Sequence, residues 1–277
     1  MKEVNTLDYR HSFHAGNVGD VWKHMALVSL LDTLLTDPRP LDVLDTHAGD
    51  GSYRFQSTGE WTAGIGRLWE HGPTKFPVVD RYVERVAKLT NSDRRSYPGS
   101  PSLIVGSLRS NDTATFCETR PEASASLQRV VGARGKVVEG DGYKTLASGG
   151  AKGSRWVVHI DPPYAEREEW STAPDAIARA AAGGAVVIAW YPIKSLSRPN
   201  VMLARLREKG TPAVAVELCV TPLELKRPAL AGSGLVFVNA PASVLAEVHA
   251  AASVLGPICA THEGRWFVRT TGWGAAK

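Results

Sequence analysis

Short apolar runs that each end in turn chemistry recur along the chain, and helix-patterned stretches separate them. The runs are "PLDVLD", "TATFCE", "GKVVEGD", "WVVHID" and "GAVVIAWYPI"; the spacers include "PEASASLQRVVGA", "STAPDAIARAAAG" and "NVMLARLREKG". Strands alternating with helices leave few topologies open, because a right-handed βαβ crossover returns each strand parallel to the last. The expected fold is α/β, a parallel sheet covered by helices on both faces. Near the end, "VAVELCV", "GSGLVFVNA" and "RWFVRTTG" have fewer helices between them, which predicts an antiparallel edge.

Before the first strand, "HAGNVGDVWKHMALVSLLDTLL" carries Val21, Met25, Val28, Leu31 and Leu35 at helical spacing. Asn17 is placed to cap this helix, with Asp20 in its first turn. Residues 53–98 break the rhythm. "GEWTAGIGRLWEHG" and "PVVDRYVERVAKLTN" read as two amphipathic helices, the second with Val79, Val83, Val86 and Leu89 on one side. The expected division is a discontinuous main domain, residues 1–52 and 99–277, with a helical insertion at 53–98. Arg81, Arg85, Lys88, Arg94 and Arg95 would suit the insertion to substrate docking as well as to a plain covering role.

With 277 residues, 43% of them apolar and 22% charged, the chain can bury a core without disulfide or metal staples. Cys117, Cys219 and Cys259 are odd in number, far apart and without a Cys-x-x-Cys spacing, so a disulfide framework or zinc site is not expected. No apolar leader opens the chain, and the stretch "AAGGAVVIAWY" is too short to span a bilayer. A cytoplasmic protein without membrane association is expected. The net charge of +4 decides nothing by itself.

Open α/β sheets bind ligands beyond the carboxyl ends of their strands. After the first strand, "DTHAGDG" supplies a glycine turn that lets a ligand approach the backbone at Gly49, but Ser52-Tyr53-Arg54 follows Gly51 where a dinucleotide fingerprint needs a third glycine. That disfavours a nicotinamide-dependent dehydrogenase. The second strand ends in Glu118, a carboxylate able to accept from both hydroxyls of a ribose, and the third in Asp141-Gly142, able to accept from an adenine amino group. The fourth ends in Asp161 of "HIDPPYAEREEW", where Pro162 and Pro163 fix the backbone and donate no N–H. Asp45 with Gly49, Glu118, Asp141 and Asp161 thus share one edge.

This combination resembles the S-adenosylmethionine-dependent methyltransferases, specifically the amino-methylating class that carries Asp/Asn-Pro-Pro-Tyr/Phe. The physical logic of that motif is clear. The exocyclic nitrogen of adenine is a poor nucleophile because its lone pair is delocalised into the ring. Asp161 and the carbonyl of Pro162 can each accept one N–H, which favours a pyramidal nitrogen, and the prolines hold that carbonyl still. Asp161 can also take the released proton. Tyr164 offers a face on which an unstacked base can lie. Asp161, Pro162 and Tyr164 are therefore the candidate catalytic residues, and Asp161→Ala is expected to abolish methyl transfer with little loss of fold.

Over nearly the whole chain, "YRHSFHAGNVGDVWKH", "LDTHAGDG", "YPGSP", "IDPPY" and "AWYPI" together resemble the bacterial RlmJ-type 23S rRNA adenine-N6 methyltransferases. The resemblance implies a Rossmann-like class I methyltransferase fold, a mostly parallel seven-stranded sheet with an antiparallel edge strand, and a helical insertion. It implies S-adenosylmethionine as cofactor, with no metal, surrounded by Lys23, His24, His47, Ser100, Glu118, Asp141, Gly142 and Asp161; the strand-end reading adds Asp45 and Gly49 to the cofactor-binding residues. Tyr9, Arg10 and Tyr164 would contact the 23S rRNA substrate. A monomer with no obligate protein partner is expected. Departures from the family pattern fall at Val18-Gly19 and at Asn239-Ala240-Pro241-Ala242. Two alternatives are a DNA adenine-N6 methyltransferase, whose motif would be the same, and a non-catalytic nucleic-acid-binding protein linked to use of external DNA.

Overall fold

The apolar runs do form strands, and helices fill the spacers. A computed structural model describes residues 11–225, 230–262 and 264–274; Tyr9 and Arg10 lie outside the described residues. In chain order the elements are α1 (His11–His14), α2 (Val18–Leu34), β1 (Leu41–Asp45), β2 (Ser52–Arg54), α3 (Ile65–His71), α4 (Pro77–Leu89), β3 (Ser96–Pro98), α5 (Ser100–Ser107), β4 (Thr113–Glu118), α6 (Pro121–Val131), β5 (Lys136–Glu139), α7 (Gly142–Thr145), β6 (Arg155–Ile160), α8 (Glu169–Ala182), β7 (Val186–Ile193), α9 (Ser197–Glu208), β8 (Ala213–Cys219), β9 (Gly232–Val238), α10 (Ala242–Cys259) and β10 (Phe267–Trp273).

The main sheet has eight strands in the order β10-β8-β9-β7-β6-β1-β4-β5. The β5-β4-β1-β6-β7 block is parallel throughout, which places the carboxyl ends of those strands along one edge. The expectation of seven strands is corrected by β10. Without it β8 would present a row of unpaired backbone groups, and the C-terminal run covers that row by pairing antiparallel from Phe267↔Cys219 to Trp273↔Ala213. Antiparallel pairing is also not confined to the edge: β9 runs antiparallel between β7 and β8.

That inserted strand depends on one glycine. Tyr191 on β7 and Glu217 on β8 both face Gly234 in register, and the Tyr191 hydroxyl donates to Glu217 Oε1 at 3.0 Å. The phenol crosses the space that a side chain at 234 would fill; an added Cβ would lie 2.0 Å from Tyr191 Cζ. Gly234→Ala is therefore expected to lose about 2–4 kcal/mol from overpacking and the broken hydrogen bond. A urea titration checks this, and a change below about 0.5 kcal/mol would contradict the packing argument.

Helix α2 begins as the sequence predicts: the Asn17 side chain accepts from Asp20 N, and Asp20 occupies the first turn. It is buried on nearly every side, including Val21, Trp22, Met25, Leu27 and Leu31, because α4, α5 and α10 pack around it over the sheet. The opposite face is covered by α8 and α9, with Ile177, Ala180, Met202 and Leu206 buried.

The segment 53–98 forms helical elements as expected, but the first is split. A 3-10 turn at Glu60–Ala63 precedes α3, and Gly64 sits at the break. A Cβ at Gly64 would fall 2.1 Å from the Gly16 carbonyl oxygen, so the backbone between α1 and α2 presses directly on this point. β2 and β3 pair antiparallel and tie the ends of the segment together. Its Ile65, Leu68, Val79, Tyr82 and Val86 join the same apolar cluster as α2.

One sequence expectation needs qualifying. "AAGGAVVIAWY" is not the chain's most membrane-like stretch, because α10, at 18 residues, is long and apolar enough to cross a membrane by length and composition. Here it lies against α2, β8 and β10, with Val244, Val248, Ala251, Ala252 and Leu255 buried.

Candidate active site

A cavity of about 760 Å³ opens beyond the carboxyl ends of β1, β4, β5, β6 and β7. It is built where the parallel strands stop and their loops diverge, the position that an α/β sheet offers a ligand. Of the residues proposed from sequence, Lys23, His24, His47, Gly49, Ser100, Glu118, Asp141, Gly142, Asp161, Pro162 and Tyr164 all line it.

Asp45, expected on that edge, is not on the cavity wall. Its carboxylate is fully buried and already engaged: Ser100 Oγ donates to Oδ2 at 2.7 Å, and His159 Nδ1 lies 3.2 Å from Oδ1. Burial opposes its charge, but His159 and these hydrogen bonds outweigh burial and hold its pKa below the usual value. Asp45 therefore positions Ser100 and the start of the glycine loop. In that loop Gly49 and Gly51 adopt positive φ, and a Cβ at Gly49 would lie 2.2 Å from the Tyr53 hydroxyl.

The β4 and β5 ends supply acceptors. Glu118 Oε1 takes the Arg120 backbone N–H at 2.8 Å, while Oε2 has no protein partner among the described residues. Asp141 caps α7 by accepting from Tyr143 N through Oδ1 at 2.9 Å, and Oδ2 has no partner among the described residues. Gly142 is required by a close approach: a Cβ there would fall 2.1 Å from the Thr46 carbonyl oxygen, so the β1 and β5 loops touch backbone to backbone. His47 stands edge-on to Tyr143, ring centroids 4.8 Å apart, and burial lowers its pKa. Two acceptor carboxylates and a side-chain-free backbone at Gly142 on one cavity wall fit an adenosine moiety, with its ribose hydroxyls and amino group as donors.

Asp161, at the exit of β6, is the least independent of these groups. Lys23 Nζ donates to Asp161 Oδ2 at 2.5 Å and to Asp20 Oδ1 at 2.8 Å, and all three side chains are largely buried. Burial opposes the Lys23 charge, but Asp161 and Asp20 more than compensate and raise its pKa. The expectation that Asp161 contributes little to the fold therefore fails: removing its carboxylate leaves a buried ammonium with one partner fewer. Asp20 in turn accepts from Gly16 N, which ties the α1–α2 turn to the same network.

Beside it, Tyr164 takes a positive φ of 50° and is 7% exposed. Its ring is wedged against Trp170 (4.5 Å) and Trp190 (6.2 Å), and its hydroxyl points to Met202 Sδ. Its free face is thus narrow, and Trp190, which the Lys23 ammonium overlies at 5.6 Å, is the more open aromatic wall.

Several wall residues were not among the site candidates read from the sequence. His14, Asn17 and Glu60 meet at the mouth, with Asn17 Nδ2 donating to Glu60 Oε2 at 2.9 Å and His14 Nδ1 at 3.0 Å from the same oxygen. Glu60 comes from the inserted segment, so nothing in its local sequence pointed here. The hydrogen bond to Glu60 raises the His14 pKa. The pairing therefore adds stability fully below about pH 6.5 and loses it as pH rises through the raised value. A histidine titration by NMR is expected to place His14 above that reference in the wild type and to lower its pKa in Glu60→Gln. Among the described residues no cluster of His, Cys, Asp and Glu is arranged to hold a metal ion.

Comparison with known proteins gives a consistent result. The family model described as ribosomal RNA large subunit methyltransferase D, RlmJ, matches residues 38–272. The chain is 34% identical over 250 residues to ribosomal RNA large subunit methyltransferase J of Haemophilus influenzae, covering 85% of this chain and 88% of that protein. The Escherichia coli protein of the same name is 32% identical over 249 residues, with the same coverage of each chain. A crystal structure of a Legionella pneumophila protein superimposes with a TM-score of 0.84 at 29% identity, covering 95% of this chain and 99% of that one.

Proposed function

The chain belongs to the family of ribosomal RNA large subunit methyltransferases described as RlmJ, and on that premise we propose that it methylates the exocyclic N6 of an adenine in 23S rRNA. The observation that carries this reading is the placement of Asp161, at the end of "HIDPPY", in one cavity with Glu118, Asp141 and Gly142. S-adenosylmethionine, when bound, supplies a methyl group on a positively charged sulfur. Glu118 and Asp141 would hold its adenosine through the carboxylate oxygens that the described residues leave unpaired, beside the close approach of Gly142 to the Thr46 carbonyl.

Asp161 receives one N–H of the target amine and the Pro162 carbonyl the other, which turns the nitrogen lone pair towards the cofactor side. Lys23 keeps the Asp161 carboxylate in place before substrate arrives, so little reorganisation remains to be done. As the nitrogen loses its proton, Asp161 is the acceptor within reach. Trp190 and Tyr164 wall the target base, and naked or unpaired RNA suits this geometry because extrusion costs least where a base is not already paired. Residues 53–98 serve as an insertion subdomain that lends Glu60 and Tyr53 to the cavity wall.

Mass-spectrometric counting of N6-methyladenosine after incubation with S-adenosylmethionine tests the reading, with naked 23S rRNA and duplex DNA as substrates. Methylated rRNA and unmodified DNA are expected. Methyl groups on DNA alone, or on another atom of the RNA, would overturn the assigned substrate.

A further inference from the structure

The cavity is asymmetric in charge. Carboxylates of Glu118 and Asp141 line the side under β4 and β5, where the one cation on the wall, Arg120, is paired with Glu118 and Asp50. The side under β7 carries Lys194 and Arg198. Both cations are exposed, and neither has a hydrogen bond or ion pair with any described residue. Some other surface cations of the chain are paired. Arg205 on α9 and Lys209 just after it both pair with Asp175; elsewhere Arg39 pairs with Asp37 and Arg109 with Asp112. Lys152, Arg167 and Arg179 are exposed and likewise without a partner among the described residues, so it is the place of Lys194 and Arg198 on the cavity wall that sets them apart.

Helix stability does not account for Arg198. It lies in the first turn of α9, where no acidic residue accompanies it and the helix dipole opposes a positive charge. Lys194 follows the end of β7 and lines the same cavity as His14, whose protonation its charge opposes. Two unpaired cations therefore stand at one rim of a cavity whose other side is acidic.

An extruded base reaching Asp161 brings its flanking phosphates to the rim. On the acidic side they would be repelled; on the β7 side they meet Lys194 and Arg198. We propose that Lys194 and Arg198 form a phosphate clamp that grips the RNA backbone beside the target nucleotide, an inference that rests on the RNA methyltransferase reading above. Contacts of this kind position a nucleic acid without reading its sequence.

The test compares wild type, Lys194→Ala, Arg198→Ala, the double variant and Lys194→Arg on naked 23S rRNA across a range of salt concentrations. Lys152→Ala, in the exposed loop before β6 at the opposite end of the strands, is the control. Each single alanine variant is expected to raise KM for RNA roughly tenfold and the double variant more, with the salt slope of binding shallower by about 0.7 per lost contact. S-adenosylhomocysteine affinity by calorimetry should match wild type, Lys194→Arg should restore most of the KM, and the control should change nothing. A double variant whose KM and salt slope stay within about twofold of a wild type that does methylate RNA overturns the clamp and leaves the function intact. A wild type that binds S-adenosylhomocysteine but methylates no RNA overturns the function, and the clamp with it.

Discussion

Asp161→Asn is expected to lower kcat by about 10²–10⁴-fold while S-adenosylhomocysteine still binds and the protein stays folded. Asparagine preserves the size of the side chain and one acceptor oxygen. It replaces the other oxygen with a donor that faces either Lys23 or the incoming amine, and neither can accept that hydrogen. Alanine is the poorer test, because it would also strip the buried Lys23 ammonium of a partner 2.5 Å away. A loss of activity in Asp161→Ala would then mix chemistry with stability. Single-turnover methylation monitored by mass spectrometry, with a thermal melt of the same sample, separates the two. An Asp161→Asn variant with near wild-type turnover would remove Asp161 as the proton acceptor and leave it only the hydrogen-bond role that an asparagine also fills in this motif.

Lys23→Met is expected to destabilise the fold by about 3–5 kcal/mol, since it leaves the Asp20 and Asp161 carboxylates facing each other without the cation between them. The methionine fills the stem of the lysine, so the effect reads the charge and not a cavity. Adding Asp20→Asn to Lys23→Met should recover part of the loss, and that non-additivity identifies the network. The folded-state pKa of Lys23 is raised, so its contribution is complete below about pH 10.4 and is lost only as pH rises through the higher folded value. The gap between wild type and Lys23→Met should therefore not shrink between pH 7 and about 10 in urea titrations. A variant as stable as wild type at pH 7 would mean that the ion network does not hold α2 to the end of β6.

The legible part of the site was the part encoded within a few residues of chain. The glycine turn at Gly49, the acid at Glu118, the Asp141-Gly142 pair and the proline-stiffened exit at Asp161 each combine a strand end with turn chemistry, and each lines the cavity. Lys23 and His24 were visible only through the family resemblance, because on a helix buried all round nothing in the periodicity marks the face that meets a ligand. Asp45 was placed on the wrong side of the wall for a related reason. A strand's last residue points to one face or the other according to the pleat, and His159 and Ser100 claim that carboxylate from behind. Glu60 carried no signal, since its relation to His14 exists only once α3 and the turn before it dock against Gly16.

By itself the sequence determined where strands and helices lie, that the sheet is mainly parallel, and which strand ends carry acids, because periodicity and turn chemistry act over one or two turns of chain. Tertiary structure alone decided that β9 enters the sheet between β7 and β8, that β8 is the strand β10 pairs with, and that Lys23 meets Asp161 across 138 residues. Those outcomes depend on which unpaired edge or buried charge finds a partner in space, and that competition among distant segments leaves no local mark in the chain.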